Sequence, residues 1–170
     1  MTREQKAVVA GSATGLVSML AAMWLLTRAL PPPAQAGTIE GRLTYALPWE
    51  ALAALPLFVM IVAIGNARFG GVAIDPTRGA EDKAMLINGR VADNTLQQFV
   101  LFLAGSLALA VTIPAGYVQI VGAAAITFVA ARIVFWIGYR IDPLYRAPGF
   151  AATAYLNFGL LLTSLWFALV

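Results

Sequence analysis

The chain contains neither cysteine nor histidine. Disulfides, structural zinc sites, thiolate or imidazole nucleophiles and histidine-ligated haem are therefore excluded, and cysteine usage says nothing about redox compartment. Any thiol chemistry must come from a bound molecule. Charge is scarce too: 11% of the 170 residues are Asp, Glu, Lys or Arg, where a soluble domain carries about 25%. Apolar residues fill the space, at 61% of the chain with a mean hydropathy of +0.82. That balance excludes a soluble globular domain, a disordered chain and a nucleic-acid-binding module. The net charge of +3 reads as Lys and Arg gathered in loops on one membrane side rather than as an anionic partner. The sequence describes an integral membrane protein bathed in membrane lipids.

A helix needs roughly 20 apolar residues to cross the hydrocarbon core. Uncharged runs extend over Ala7–Thr27, Ala51–Ala67, Asn94–Ala131 and Ala147–Val170. The third is too long for one span, and Pro114 and Gly116 break it into a hairpin with Tyr117 at the interface. Five spans follow, near 7–29, 49–67, 90–113, 117–140 and 149–169, with Pro48 and Trp49 as the entry to the second. Backbone polar groups cannot go unpaired in lipid, and the runs lack the alternating polarity of a barrel, so the expected fold is an all-α membrane bundle. The first span has two readings. Its basic start and the Ala34-Gln35-Ala36 motif resemble a signal peptide. Its long core, with Arg28 and Pro31–Pro33 before that motif, favours a retained helix followed by a stiff extended connector.

Loop cations set the orientation. One side carries Arg3, Lys6, Arg68, Arg78, Lys83, Arg90, Arg132, Arg140 and Arg146; the other has only Arg28 and Arg42. This split places the N-terminus and the 68–90 and 140–148 loops in the cytoplasm and the C-terminus outside.

Three polar groups are not explained by loop placement alone. Arg90, Asn94 and Gln97, with Gln98 beside them, lead into the third span; positions i, i+4 and i+7 fall within about 60° on one helix face. An interfacial helix start would look the same. Arg132 lies about two turns inside the fourth span, where insertion costs on the order of 3 kcal/mol, and Tyr139 shares its face. Snorkelling to the interface is the bland account; a guanidinium satisfied by an anion or carbonyl inside the bundle is the functional one. Finally, the turn Gly138–Phe150 places Arg146 at the start of the fifth helix, where free N–H groups favour an anion, although a positive-inside anchor would sit there too. Three cationic or hydrogen-bonding groups at one membrane depth, with no evident carboxylate partner, point to an anionic ligand.

The pattern Arg90-x3-Asn94-x2-Gln97 resembles the Arg-x3-Asn-x2-Glu signature of the membrane-associated proteins in eicosanoid and glutathione metabolism, the MAPEG family. Arg132-x6-Tyr139-x6-Arg146, followed by Gly149-Phe150, is similar to that family's second signature, with the spacing of its leukotriene synthase branch. The likeness covers roughly residues 49–170 and implies a family four-helix membrane domain over 37–170. Residues 1–36 would be an extra N-terminal transmembrane helix and connector. It further implies a homotrimer, in a bacterial-type member of the inner membrane, with glutathione between subunits near the cytoplasmic face. By position, Arg90, Asn94, Gln97, Arg132 and Tyr139 would hold the tripeptide, Arg68 would add a carboxylate contact, and Arg146 would stabilise the thiolate. No metal is implied. Two positions depart from the pattern: Gln97 stands for the signature glutamate, and Phe135 for a tyrosine of the leukotriene branch.

The leading expectation is a glutathione-dependent transferase or peroxidase acting on an apolar small-molecule electrophile or lipid hydroperoxide. The alternative is a non-catalytic lipid-binding or scaffolding relative, since the family contains both. A transporter would need a polar path across the membrane, and the outer halves of the spans offer only scattered Thr and Ser with Gln119 and Asn157.

Overall fold

Three of the long helices start on a polar cap. Thr2 forms a reciprocal capping box with Gln5, Thr38 accepts from the Gly41 N–H, and Asp82 accepts from the Met85 N–H, each satisfying an otherwise free first-turn donor. In the computed structural model, which describes residues 1–170 apart from the Pro76 side chain, the helices are α1 (Arg3–Ala29), α2 (Ile39–Phe69), α3 (Lys83–Thr112), α4 (Ile120–Ile141) and α5 (Ala147–Leu169). At 1.5 Å per residue they are about 33 to 46 Å long, and all five are apolar enough to cross a membrane. No strand occurs among the described residues.

Two helices begin well before the expected spans. α2 starts at Ile39 rather than 49 and α3 at Lys83 rather than 90, because the caps Thr38 and Asp82, not the lipid boundary, decide where helical hydrogen bonding begins. Pro48 accordingly lies inside α2, as does Pro56. The Pro114 break holds: Ala115–Tyr117 form a single 3-10 turn before α4.

α4 packs against all four other helices. Its Val121-Gly122-Ala123-Ala124-Ala125 stretch is buried throughout, and small residues there permit close helix approach. A Cβ on Gly122 would lie 2.7 Å from the Trp49 ring of α2, and one on Gly105 of α3 would lie 3.0 Å from Leu160 of α5. Phe102, Leu109, Phe128, Leu156 and Leu160 form the main core, while Met60, Val91, Ala92 and Phe135 form a smaller one. α1 lies against α4 and α5.

Arg42, expected as a loop cation, has a structural task. Its Nε donates to the Ala36 carbonyl (2.6 Å) and its Nη1 to those of Val111 (3.0 Å) and Ile113 (2.7 Å). One guanidinium thus ties the connector to the end of α3, where helix carbonyls lack internal partners.

Candidate functional site

At the end of the bundle where α2 and α4 finish and α3 and α5 begin, the second core carries the polar residues outward. Arg132 is fully buried. Its Nη1 donates to Asn94 Oδ1 at 2.9 Å, and its guanidinium carbon lies 4.0 Å from the Phe135 ring centroid. Nε and Nη2 of Arg132 are buried without a partner. A buried guanidinium with unmet donors is costly, and two adjacent N–H groups match the geometry of a carboxylate. Snorkelling does not describe this side chain.

A chain of contacts continues from it. The Phe135 and Tyr139 rings meet edge to face at 5.8 Å, and the Arg146 guanidinium stands 5.3 Å from the Tyr139 ring centroid. Arg146 is half-buried and donates through Nη1 to the Pro143 carbonyl. The turn holding it is short: Asp142 Oδ1 accepts from the Leu144 N–H at 2.7 Å, and the 3-10 turn Pro143–Arg146 runs directly into α5. Asn94, Arg132, Phe135, Tyr139 and Arg146 therefore form one continuous line of contacts, drawn from α3, α4 and the α4–α5 turn.

The other expected residues divide. Arg90 and Gln97 share the Asn94 side of α3 but are exposed, and no contact joins either to Arg132. Arg90 lines a groove of about 580 Å³ between α2 and α3 together with Arg68, Glu81 and Asp93. Arg68 has a carboxylate partner after all: its Nε and Nη2 both donate to Glu81 Oε1, at 2.8 and 2.6 Å. Thirteen residues and a loop separate the two, which is why spacing along a helix did not reveal the pair. In the same loop, Asp75 accepts from the Thr77 hydroxyl (2.6 Å) and N–H (3.0 Å) and from Arg78 Nε (3.0 Å), which holds its carboxyl below the usual range.

Three polar contacts inside the bundle escaped the sequence reading. Gln98 points away from Arg90 and Gln97 and is buried; Asn157 Nδ2 of α5 donates to its carbonyl (2.9 Å) and to its Oε1 (2.8 Å). Trp136 Nε1 donates to Asn88 Oδ1 at 3.0 Å. Glu50 of α2 is buried and accepts from the Ser106 hydroxyl at 2.7 Å. The signal for Glu50 was present: it is the one carboxylate inside the expected 49–67 span, and charged residues within spans require a reason.

A helical membrane bundle with a buried arginine–asparagine pair under a cationic turn is what the geometry defines. The MAPEG family model matches residues 46–166, well over half of the chain. The chain belongs to the MAPEG family. The match begins inside α2 and ends inside α5, leaving α1 and the connector outside it. No curated protein and no solved structure matches the chain.

Proposed function

We propose that the chain is a glutathione-dependent transferase or peroxidase for apolar electrophiles or lipid hydroperoxides, assembled as a homotrimer with its N-terminus cytoplasmic. The observation that carries this reading is Arg132, buried with two donors unmet beside Asn94. Those donors fit a carboxylate, and glutathione brings two of them. Asn94, Arg132 and Tyr139 would hold the tripeptide. The exposed Arg90 and Gln97 would reach it from the α3 flank, where a neighbouring subunit would complete the pocket; Arg68 joins only by sharing its guanidinium with Glu81. Bound glutathione supplies the nucleophilic sulfur that a chain without cysteine lacks. Arg146 favours the charged form of a thiol beside it and so lowers the pKa of that thiol. The acceptor would enter from the bilayer across the exposed apolar faces of the helices.

A second reading, a non-catalytic lipid-binding or scaffolding subunit, has its own support. Gln97 carries no charge, Arg68 is already paired, and Phe135 offers Arg132 a ring face rather than a hydroxyl. Calorimetry of glutathione with the detergent-solubilised protein separates the two. Saturable binding that weakens in Arg146→Ala and tightens in Gln97→Glu supports the enzyme. No binding in any form, with the oligomer intact, leaves the scaffold.

A further inference from the structure

The helix that lies outside the family match is pressed against the turn that carries Arg146. Gly15 is buried on α1, and a Cβ placed there would stand 2.1 Å from the Pro148 carbonyl oxygen. One turn earlier, a Cβ on Gly11 would stand 3.0 Å from Ala147 Cβ and 3.2 Å from Pro148 Cδ. No side chain fits at Gly15 without moving α1 or the start of α5. The turn is held equally tightly by α4: a Cβ on Gly138 would lie 2.3 Å from the Tyr145 carbonyl oxygen, and one on Gly149 would lie 2.4 Å from the Phe135 backbone nitrogen. Arg146 sits between these contacts, with Tyr145 on one side and Ala147 and Pro148 on the other. Its guanidinium meets the Pro143 carbonyl and the Tyr139 ring. Its placement therefore depends on where the backbone of 143–148 is held.

We propose that α1 is a positioning element for Arg146, acting through the backbone contact of Gly15, seconded by Gly11, on Ala147 and Pro148. This accounts for a fifth helix on a four-helix family unit: it braces the turn from which the half-buried Arg146 projects. The inference rests on the functional reading only in what Arg146 does; the bracing itself does not.

The test uses the full-length protein as Gly15→Ala, Gly11→Ala and the control Ala13→Leu, whose side chain is exposed on the opposite part of α1. Alanine is a better helix former than glycine, so neither glycine variant weakens α1 itself. Amide hydrogen exchange at residues 144–147 is expected to quicken about tenfold in Gly15→Ala, less in Gly11→Ala, and not in the control. If Gly15→Ala fails to assemble, the milder Gly11→Ala carries the comparison. With glutathione bound, the pH midpoint of thiolate absorbance should rise by about one unit in Gly15→Ala, as it does when a stabilising cation moves away. Glutathione affinity should stay within about threefold, since Asn94 and Arg132 are untouched. Unchanged exchange at 144–147 overturns the bracing. Faster exchange with an unmoved thiol midpoint overturns the link to Arg146. Absence of glutathione binding in the wild-type protein defeats the functional reading instead, and exchange still decides the bracing.

Discussion

Arg132 is the residue on which the site turns, and its surroundings set what replacing it does. A buried cation with one hydrogen bond contributes little net stability, and exchanging such a group for an apolar side chain of similar volume is often neutral or stabilising. Arg132→Met is therefore expected to lower glutathione affinity at least tenfold while leaving the thermal midpoint in detergent unchanged or raised. A fall of several degrees with binding intact would make Arg132 a structural residue. Glu50 should behave oppositely. Its contact with Ser106 is internal and far along α2 from the site, so Glu50→Gln keeps a hydrogen-bonding partner and should be nearly silent. Glu50→Ala removes it and leaves a void, costing about 1–3 kcal/mol in unfolding measurements, with glutathione binding unaffected in both.

Among the helices, polar contacts hold apolar surfaces in register. Asn157 joins α5 to α3 through Gln98 with two donated bonds. Such bonds inside membranes average roughly 0.6 kcal/mol, with a maximum near 1.7. A double-mutant cycle of Asn157→Leu and Gln98→Leu reads the side-chain bond alone, because the bond to the Gln98 carbonyl survives Gln98→Leu. It should give a coupling within that range; zero coupling would mean the Gln98 side chain adds nothing to the α3–α5 register. In the α2–α3 loop, the lowered Asp75 pKa has a definite sign. The stabilisation of its turn is present above the ordinary carboxylate value of 3.8 and is lost as pH falls through the lower folded value. Protease resistance of residues 70–82 should therefore persist at pH 4 and disappear only in stronger acid.

For the whole molecule, α1 stands apart from the matched family region yet lies on α4 and α5. On the proposed trimeric, glutathione-binding reading, removing residues 1–36 is expected to leave a folded protein that keeps its assembly and binds glutathione but ionises its thiol poorly. Size-exclusion with light scattering checks the assembly, and loss of the trimer would show that α1 is part of the oligomer's foundation. The bundle's exposed aliphatic and aromatic side chains, among them Trp24, Phe58, Val100 and Phe158, are what a lipid or subunit interface requires.

The membrane class, the number of spans and the α3–α4 break were all readable in the chain. Hydropathy acts over about 20 neighbouring residues and proline acts on its own turn, so both effects are local. Helical spacing likewise grouped Asn94 with Arg90 and Gln97, and Arg132 with Tyr139. What spacing could not decide was which of these faces meets a neighbour. Asn94 and Arg132 are 38 residues apart and join only where α3 crosses α4. Arg68 is committed to Glu81 by a loop whose path no periodicity describes. Gln98 turns to α5 and Gln97, its neighbour, to the outside, a division set by 100° of helix rotation once the partners are in place. The use of Gly11 and Gly15 came last of all, because small residues are common in membrane helices and gain meaning only from what lies against them. Local chemistry wrote the helices; the close approach of backbones distant in sequence decided which polar groups are buried, paired or left free to bind.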